Sequence, residues 1–259
     1  MSDSKEILTL AVEIGDALLR NGAEIYRVED TILHILDAFG VEDSDVYVLS
    51  NGIFASANEN REDACSIIRH VPLGGIHLEK IAALNQLSRE ICEHKCDIPT
   101  AWERLESCKS MPARNPFLLM MCCGIGCACF CLIFGGSLLD AFFALILGNL
   151  LEAFLLRQGK RKSSKFMTNI VGSAMVTAGS LLLFNLGLPI MQDKIVIGDI
   201  MPLVPGIAIT NSIRDLFNGD YLSGAIHLLD ALLTAMCIAV GVGTIIILYQ
   251  HLPGGVTLP

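Results

Sequence analysis

The stretch PFLLMMCCGIGCACFCLIF, from Pro116 to Phe134, runs nineteen residues without one acidic or basic side chain. A helix rises about 1.5 Å per residue, so a segment of roughly 20 apolar residues crosses the ~30 Å hydrocarbon layer of a bilayer. Pro112 and Pro116 introduce the segment and mark where a preceding helix must end. Working outward, four more apolar segments follow, at about 138–156, 166–188, 195–213 and 224–249. The fourth is interrupted by Pro202, Pro205 and Gly206. The fold class expected is an α-helical polytopic membrane protein of about five transmembrane helices with a small N-terminal α+β cytoplasmic domain.

Charge divides the chain at the same place. Of the 259 residues, 53% are hydrophobic, and the mean hydropathy is +0.56. Residues 1–110 hold 20 acids against 10 bases, whereas residues 111–259 hold 7 acids and 8 bases. The expected domains are therefore a cytoplasmic α+β domain at 1–110 and a transmembrane domain at 111–259. The start, MSDSKEIL, lacks the basic region and short apolar core of a cleavable signal. A chain of net charge −9 offers no basic face to neutralise phosphates, so nucleic acid is not expected as a partner.

Lys and Arg set the orientation, because short cytoplasmic loops carry an excess of both. Arg104, Lys109 and Arg114 precede the first span, Arg157, Lys160, Arg161, Lys162 and Lys165 fill the second loop, and Arg214 follows the fourth span. The alternate loops hold only Lys194, and the tail holds neither residue. This places the N-terminal domain in the cytoplasm of a multi-pass protein of the cell inner (plasma) membrane. Gly124 and Gly126 in the first span and Ser173, Thr177 and Ser180 in the third read as small residues for close helix packing. Five of the ten cysteines lie in the first span (Cys122, Cys123, Cys127, Cys129, Cys131). Cys127, Cys129 and Cys131 point to different faces and do not converge on one ion, so no metal and no cofactor is expected.

In the N-terminal domain, Ile7, Leu10, Ala11, Ile14, Ala17 and Leu18 fall at helical spacing, and Gly22 follows as a C-cap would. A second helix follows, with Ile25, Val28, Ile32, Ile35, Leu36 and Phe39 on one face. Short β-rich runs at 46–49, 53–56 and 67–71 are separated by turns at Asn51-Gly52 and Asn58 to Asp63. Helical spacing returns from Leu78 to Ile91, and Pro99 opens a last short helix.

The string NGAEIYRVEDTI, from Asn21 to Ile32, resembles the N-terminal signature of the threonine/serine exporter family. A second match, LVPGIAITNSIRDLFNGDYLSG from Leu203 to Gly224, is similar to that family's Pro-Gly transmembrane motif and the loop after it. Full-length members carry about twice as many spans, so this chain resembles the split, YjjP-type subunit. The resemblance implies a separate small membrane subunit of the YjjB type and export of a small hydrophilic metabolite from the cytoplasm. That metabolite would be a short amino acid or a dicarboxylate such as succinate, and a homo-oligomer is also compatible with this reading. The motif positions in the cytoplasmic domain are Gly22, Glu24, Tyr26, Arg27 and Glu29.

Charged groups at membrane depth are costly and usually serve function. Glu152, Asp199 and Asp230 are the acids singled out, while Asp140 reads as an N-terminal acid stabilised by its helix dipole and wetted by the interface. Pro202, Pro205 and Gly206 break the fourth span. Broken helices at membrane depth line cavities, and half-helix N-termini commonly meet carboxylates there. Asn211 would line the vestibule beyond the break, with Arg214 and Asp215 at its mouth. The function expected is a subunit of a secondary transporter, ion- or proton-coupled, and not an enzyme. The competing readings are a membrane-tethered hydrolase and a ligand-sensing regulatory module.

Overall fold

The computed structural model describes residues 3–41, 43–57, 64–72, 74–112, 115–161 and 164–251. Arg114, Lys162, the turn expected at Asn58 to Asp63 and the tail beyond His251 lie outside the described residues. The chain divides into two compact units, one of Met1–Pro112 with Asn211–His227, the other of Ala113–Thr210 with Leu228–Pro259. A piece of the expected transmembrane half thus folds with the N-terminal unit.

In the first unit, α1 (Asp3–Arg20) and α2 (Ile25–Ala38) precede strands β1 (Asp45–Leu49), β2 (Gly52–Ala57) and β3 (Cys65–His70), then α3 (Leu78–Cys92) and α4 (Ile98–Lys109). Gly22 adopts φ +83°. Its N–H donates to the Leu19 carbonyl, and the Ala23 N–H donates to Leu18. This Schellman turn ends α1 and needs a residue free to enter the left-handed region. It also fixes where α2 begins, and with it the position of Glu24. The strands form an antiparallel sheet in the order β1-β2-β3. Val46, Val48, Ile53 and Ala55 turn inward against Leu8, Ile14, Ile32 and Leu36, all buried in one continuous core. Alternation with period two sends Tyr47 and Phe54 to the outer face, where their rings lie 6.4 Å apart.

The second unit holds α5 (Pro116–Ile133), α6 (Leu138–Lys160), α7 (Lys165–Asn185) and α8 (Gln192–Ile200). A 3-10 turn (Met201–Leu203) leads to α9 (Gly206–Phe217), and α10 (Tyr221–His251) ends the described chain. Helix α6 outlasts its expected span by four residues and α10 starts three residues early, because polar helix ends continue the hydrogen-bond ladder past the apolar stretch. Among the described residues four helices are long and apolar enough to cross a membrane, or five if the pair bent by 54° between Leu203 and Gly206 is one span.

Small residues bring these helices together at specific points. A Cβ on Gly124 would overlap the Asn149 side chain and come within 2.7 Å of the Leu145 carbonyl, so α5 and α6 meet backbone to backbone. Gly241 of α10 lies against Ser173 and the Ile170 carbonyl of α7 in the same way. Gly126, in contrast, faces open space and is no packing residue. The Ser173 and Thr177 hydroxyls donate to carbonyls four residues back in their own helix, a local partner that needs no water.

Candidate functional site

Each unit holds one cluster of charged or polar side chains that packing does not explain. In the first unit the two signature strings, nearly two hundred residues apart in sequence, meet. Glu24 is the N-cap residue of α2, and its carboxylate is not spent on capping that helix. Its Oε2 lies 2.8 Å from Arg27 Nε, and its Oε1 is ion-paired with Arg214 from α9. The Glu24 side chain is 22% exposed, against 60% for Arg27 and 42% for Arg214. Oε2 is buried yet makes no aligned hydrogen bond, because the guanidinium approaches it off axis. Arg27 Nε also donates to the Tyr26 hydroxyl at 3.0 Å, and its guanidinium carbon stands 5.8 Å from that ring's centre. Tyr26, Arg27, Arg214 and Asn218 line an open cavity of about 600 Å³.

Neighbouring signature positions support this cluster. Glu29 accepts from the Val48 N–H at 3.4 Å, and burial pushes its carboxyl above the usual carboxylate range, helped by the negative charges of Asp220 and Asp45. The Ser50 N–H donates to Ser223 Oγ at 3.3 Å. Asp215, 4% exposed, is bonded to His227 Nδ1 at 2.9 Å, and Ser212 Oγ donates to the Gly224 carbonyl at 2.8 Å. His227 carried no signal in the sequence, since its partner lies across the α9–α10 turn. Asn211 is half-buried and enters no cluster.

In the second unit Asp199, near the end of α8, is fully buried; its carboxylate faces the Cys127 thiol of α5 and has no ion-pair partner among the described residues. The position is imposed from outside. One residue earlier, a Cβ on Gly198 would lie 2.9 Å from both the Cys127 carbonyl and the Cys131 amide, so α8 sits flush on α5. Cys127 and Cys131, four apart, share this buried face, while Cys129 is exposed. Among the described residues no group of three His, Cys, Asp or Glu is placed to hold a metal ion. Pro202 is exposed and Pro205 half-buried at the bend that follows, and Gly206 opens α9.

The other acids separate by their partners. Asp230 of α10 is paired with Lys165 of α7 at 2.6 Å, a base that its own span could not reveal. Glu152 is half-buried on α6. Asp140 is not wetted as expected, being fully buried. It closes a capping box with Ser137 and accepts the Met191 N–H at 2.8 Å, holding the start of α6 to the segment before α8.

A chain with several membrane-length apolar helices, small residues at their crossings and polar groups buried between them is a multi-pass membrane protein. It belongs to the threonine/serine exporter family, whose sequence profile matches residues 9–249. A relative from Klebsiella aerogenes, named "Probable succinate transporter subunit YjjP", is 25% identical over 93% of this chain and 93% of its own length. The protein of the same name in Escherichia coli K12 is 24% identical over 92% and 93% respectively. A "Threonine/serine exporter" of Corynebacterium glutamicum is 24% identical over 92% of this chain, which spans 50% of that protein. No solved structure matches the chain significantly.

Proposed function

We propose that the chain is one subunit of a secondary transporter that moves a small hydrophilic metabolite out of the cytoplasm, coupled to protons or another ion. The metabolite is threonine, serine or a dicarboxylate such as succinate. A separate small membrane subunit of the YjjB type completes the transporter, in keeping with a chain half as long as the Corynebacterium relative. The N-terminal unit lies on the cytoplasmic side, on the strength of the Lys and Arg distribution.

The observation that carries the reading is Asp199, a fully buried acid beside a broken helix whose neighbour is an uncharged thiol and which has no ion-pair partner among the described residues. An unpaired carboxylate in an apolar interior is costly, so such a group either holds a proton or awaits a cation. A conformational change that wets it then exchanges that ion, which is what coupling requires. The start of α9, just past Pro205, offers free N–H groups and the positive end of a helix dipole to a substrate carboxylate. Pro202, Pro205 and Gly206 keep this break open.

The test is efflux of labelled succinate, threonine and serine from preloaded cells carrying the chain with its small partner. Asp199→Asn should reduce efflux of the transported compound at least tenfold at unchanged membrane abundance. Wild-type efflux by this variant would remove Asp199 from the mechanism. A pair that exports none of the three would overturn the substrate class.

A further inference from the structure

The cavity of the first unit is lined by α2 and by the far end of α9 with the residue that follows it, whereas Asp199 belongs to the other unit. Two guanidiniums, a phenol and a carboxamide line this open surface depression, a donor set suited to a small anion. Arginine's planar fork matches a carboxylate's two oxygens, and here two forks converge from different elements, α2 and α9. The charge between them is held by one internal carboxylate, Glu24. That carboxylate is an imperfect partner, because it serves both arginines at once and one of its oxygens is buried without an aligned hydrogen bond. Asp215 also acts on Arg214, so the cluster is close to neutral, and what it offers the open volume is two guanidinium forks with N–H donors to spare.

We propose that this cavity is a binding site for a small carboxylate metabolite, in which Glu24 bridges Arg27 and Arg214 until the ligand's carboxylate takes its place. Arg214 sits on the segment Asn211–His227, which is continuous in sequence with the helices on either side of it. Exchange of Glu24 for a ligand therefore changes what holds the α9–α10 turn, and the site can report cytoplasmic metabolite to the membrane helices. The identity of the ligand as the transported compound rests on the function proposed above. The binding itself does not.

The test uses the full chain in nanodiscs of neutral lipid, titrated calorimetrically with succinate, threonine, serine, inorganic phosphate and dimethyl succinate. Saturable binding of at least one of the three metabolites, with none of the uncharged diester, is expected. Arg214→Ala and Arg27→Ala should each weaken it at least tenfold. Glu24→Gln should tighten it severalfold, because the internal competitor loses its charge. This gain distinguishes the site from a merely structural ion pair, whose loss could only impair the protein. The tenfold loss on Arg214→Ala should persist in the Asp199→Asn background, so a dead transporter that keeps arginine-dependent binding would separate the two readings. Affinity unchanged in both arginine variants, or weakened by Glu24→Gln, would overturn the proposal. Phosphate binding as tight as the metabolite's, or binding abolished by adding phosphatidylglycerol, would reassign the cavity to phosphate or to a lipid headgroup.

Discussion

The two units differ in what they turn outward and in how much polar material they bury. In the first, Leu8, Leu10, Ile14, Ile32 and Leu36 are fully enclosed in one apolar core, and most charged side chains lie outside it. In the second, Leu138 is 81% exposed and Leu182 64%, while Ser173, Thr177, Ser180, Asp140 and Asp199 are buried. The first pattern is what water selects, since apolar area removed from it contributes about 25 cal/mol per Å². Lipid tails are as apolar as leucine and exert no such pressure, so the second unit is held by close packing at small residues and by polar groups that hydrocarbon cannot satisfy. Among the acids Asp199 stands apart. Glu13, Asp16, Glu24 and Glu90 of the first unit pair with arginine or lysine, as do Asp193 and Asp230 of the second, whereas Asp199 is in no ion pair among the described residues.

Leu8→Ala should expose the contrast most sharply, destabilising the first unit by about 2–5 kcal/mol through the cavity it leaves. The same truncation at Leu182 should shift thermal unfolding of the detergent-solubilised chain by less than about 0.5 kcal/mol. Equal effects at the two positions would erase the distinction between the units. Next in size, Leu182→Asp should raise the cost of membrane insertion, read as the fraction of chain integrated into microsomes, by less than the ~2.5–3.5 kcal/mol of an acid at a helix centre, because Leu182 lies near the end of α7. Unchanged integration would mean that this face of α7 does not meet lipid.

A smaller effect is expected at Ser137, whose side chain accepts the Asp140 N–H at 3.2 Å. Ser137→Ala should cost about 1 kcal/mol, measured by thermal unfolding. Smallest is the pH response at Glu29. Its carboxyl is raised in the folded state, so its contribution to stability is full below the unfolded value of about 4.3 and is lost as pH rises through the folded value. Glu29→Gln should flatten the stability profile just above pH 4.3 and leave it unchanged below. A steeper profile in the variant would reverse the assigned direction.

Much of the fold was legible in the sequence because membranes and helix ends impose one-dimensional signals. Apolar stretches of membrane length, the glycine after α1 and the prolines of the broken helix are each readable from composition and order alone. The strands were legible from β-rich runs and the Asn51-Gly52 turn, and β2 pairs with β1 from Gly52 onward. The partners were not legible. Spacing within one helix ranked Asp199 and Asp230 together, and only packing separated them by placing Lys165 beside one and the uncharged Cys127 thiol beside the other. Asp140 was expected in water because position along a helix does not report what covers its end.

The sequence by itself determined that there are two regions, which of them meets a membrane, and where the chain turns or breaks. These follow from local free energies, namely hydrocarbon transfer, backbone freedom at glycine and the missing N–H of proline. Only the tertiary structure decided that residues 211–227 fold with the N-terminal unit, that Glu24 stands between Arg27 and Arg214, and that Asp199 is buried without an ion-pair partner among the described residues. Such facts depend on which distant side chains are brought within a few ångströms of one another. A pairwise interaction across nearly two hundred residues leaves no periodicity in the chain that carries it.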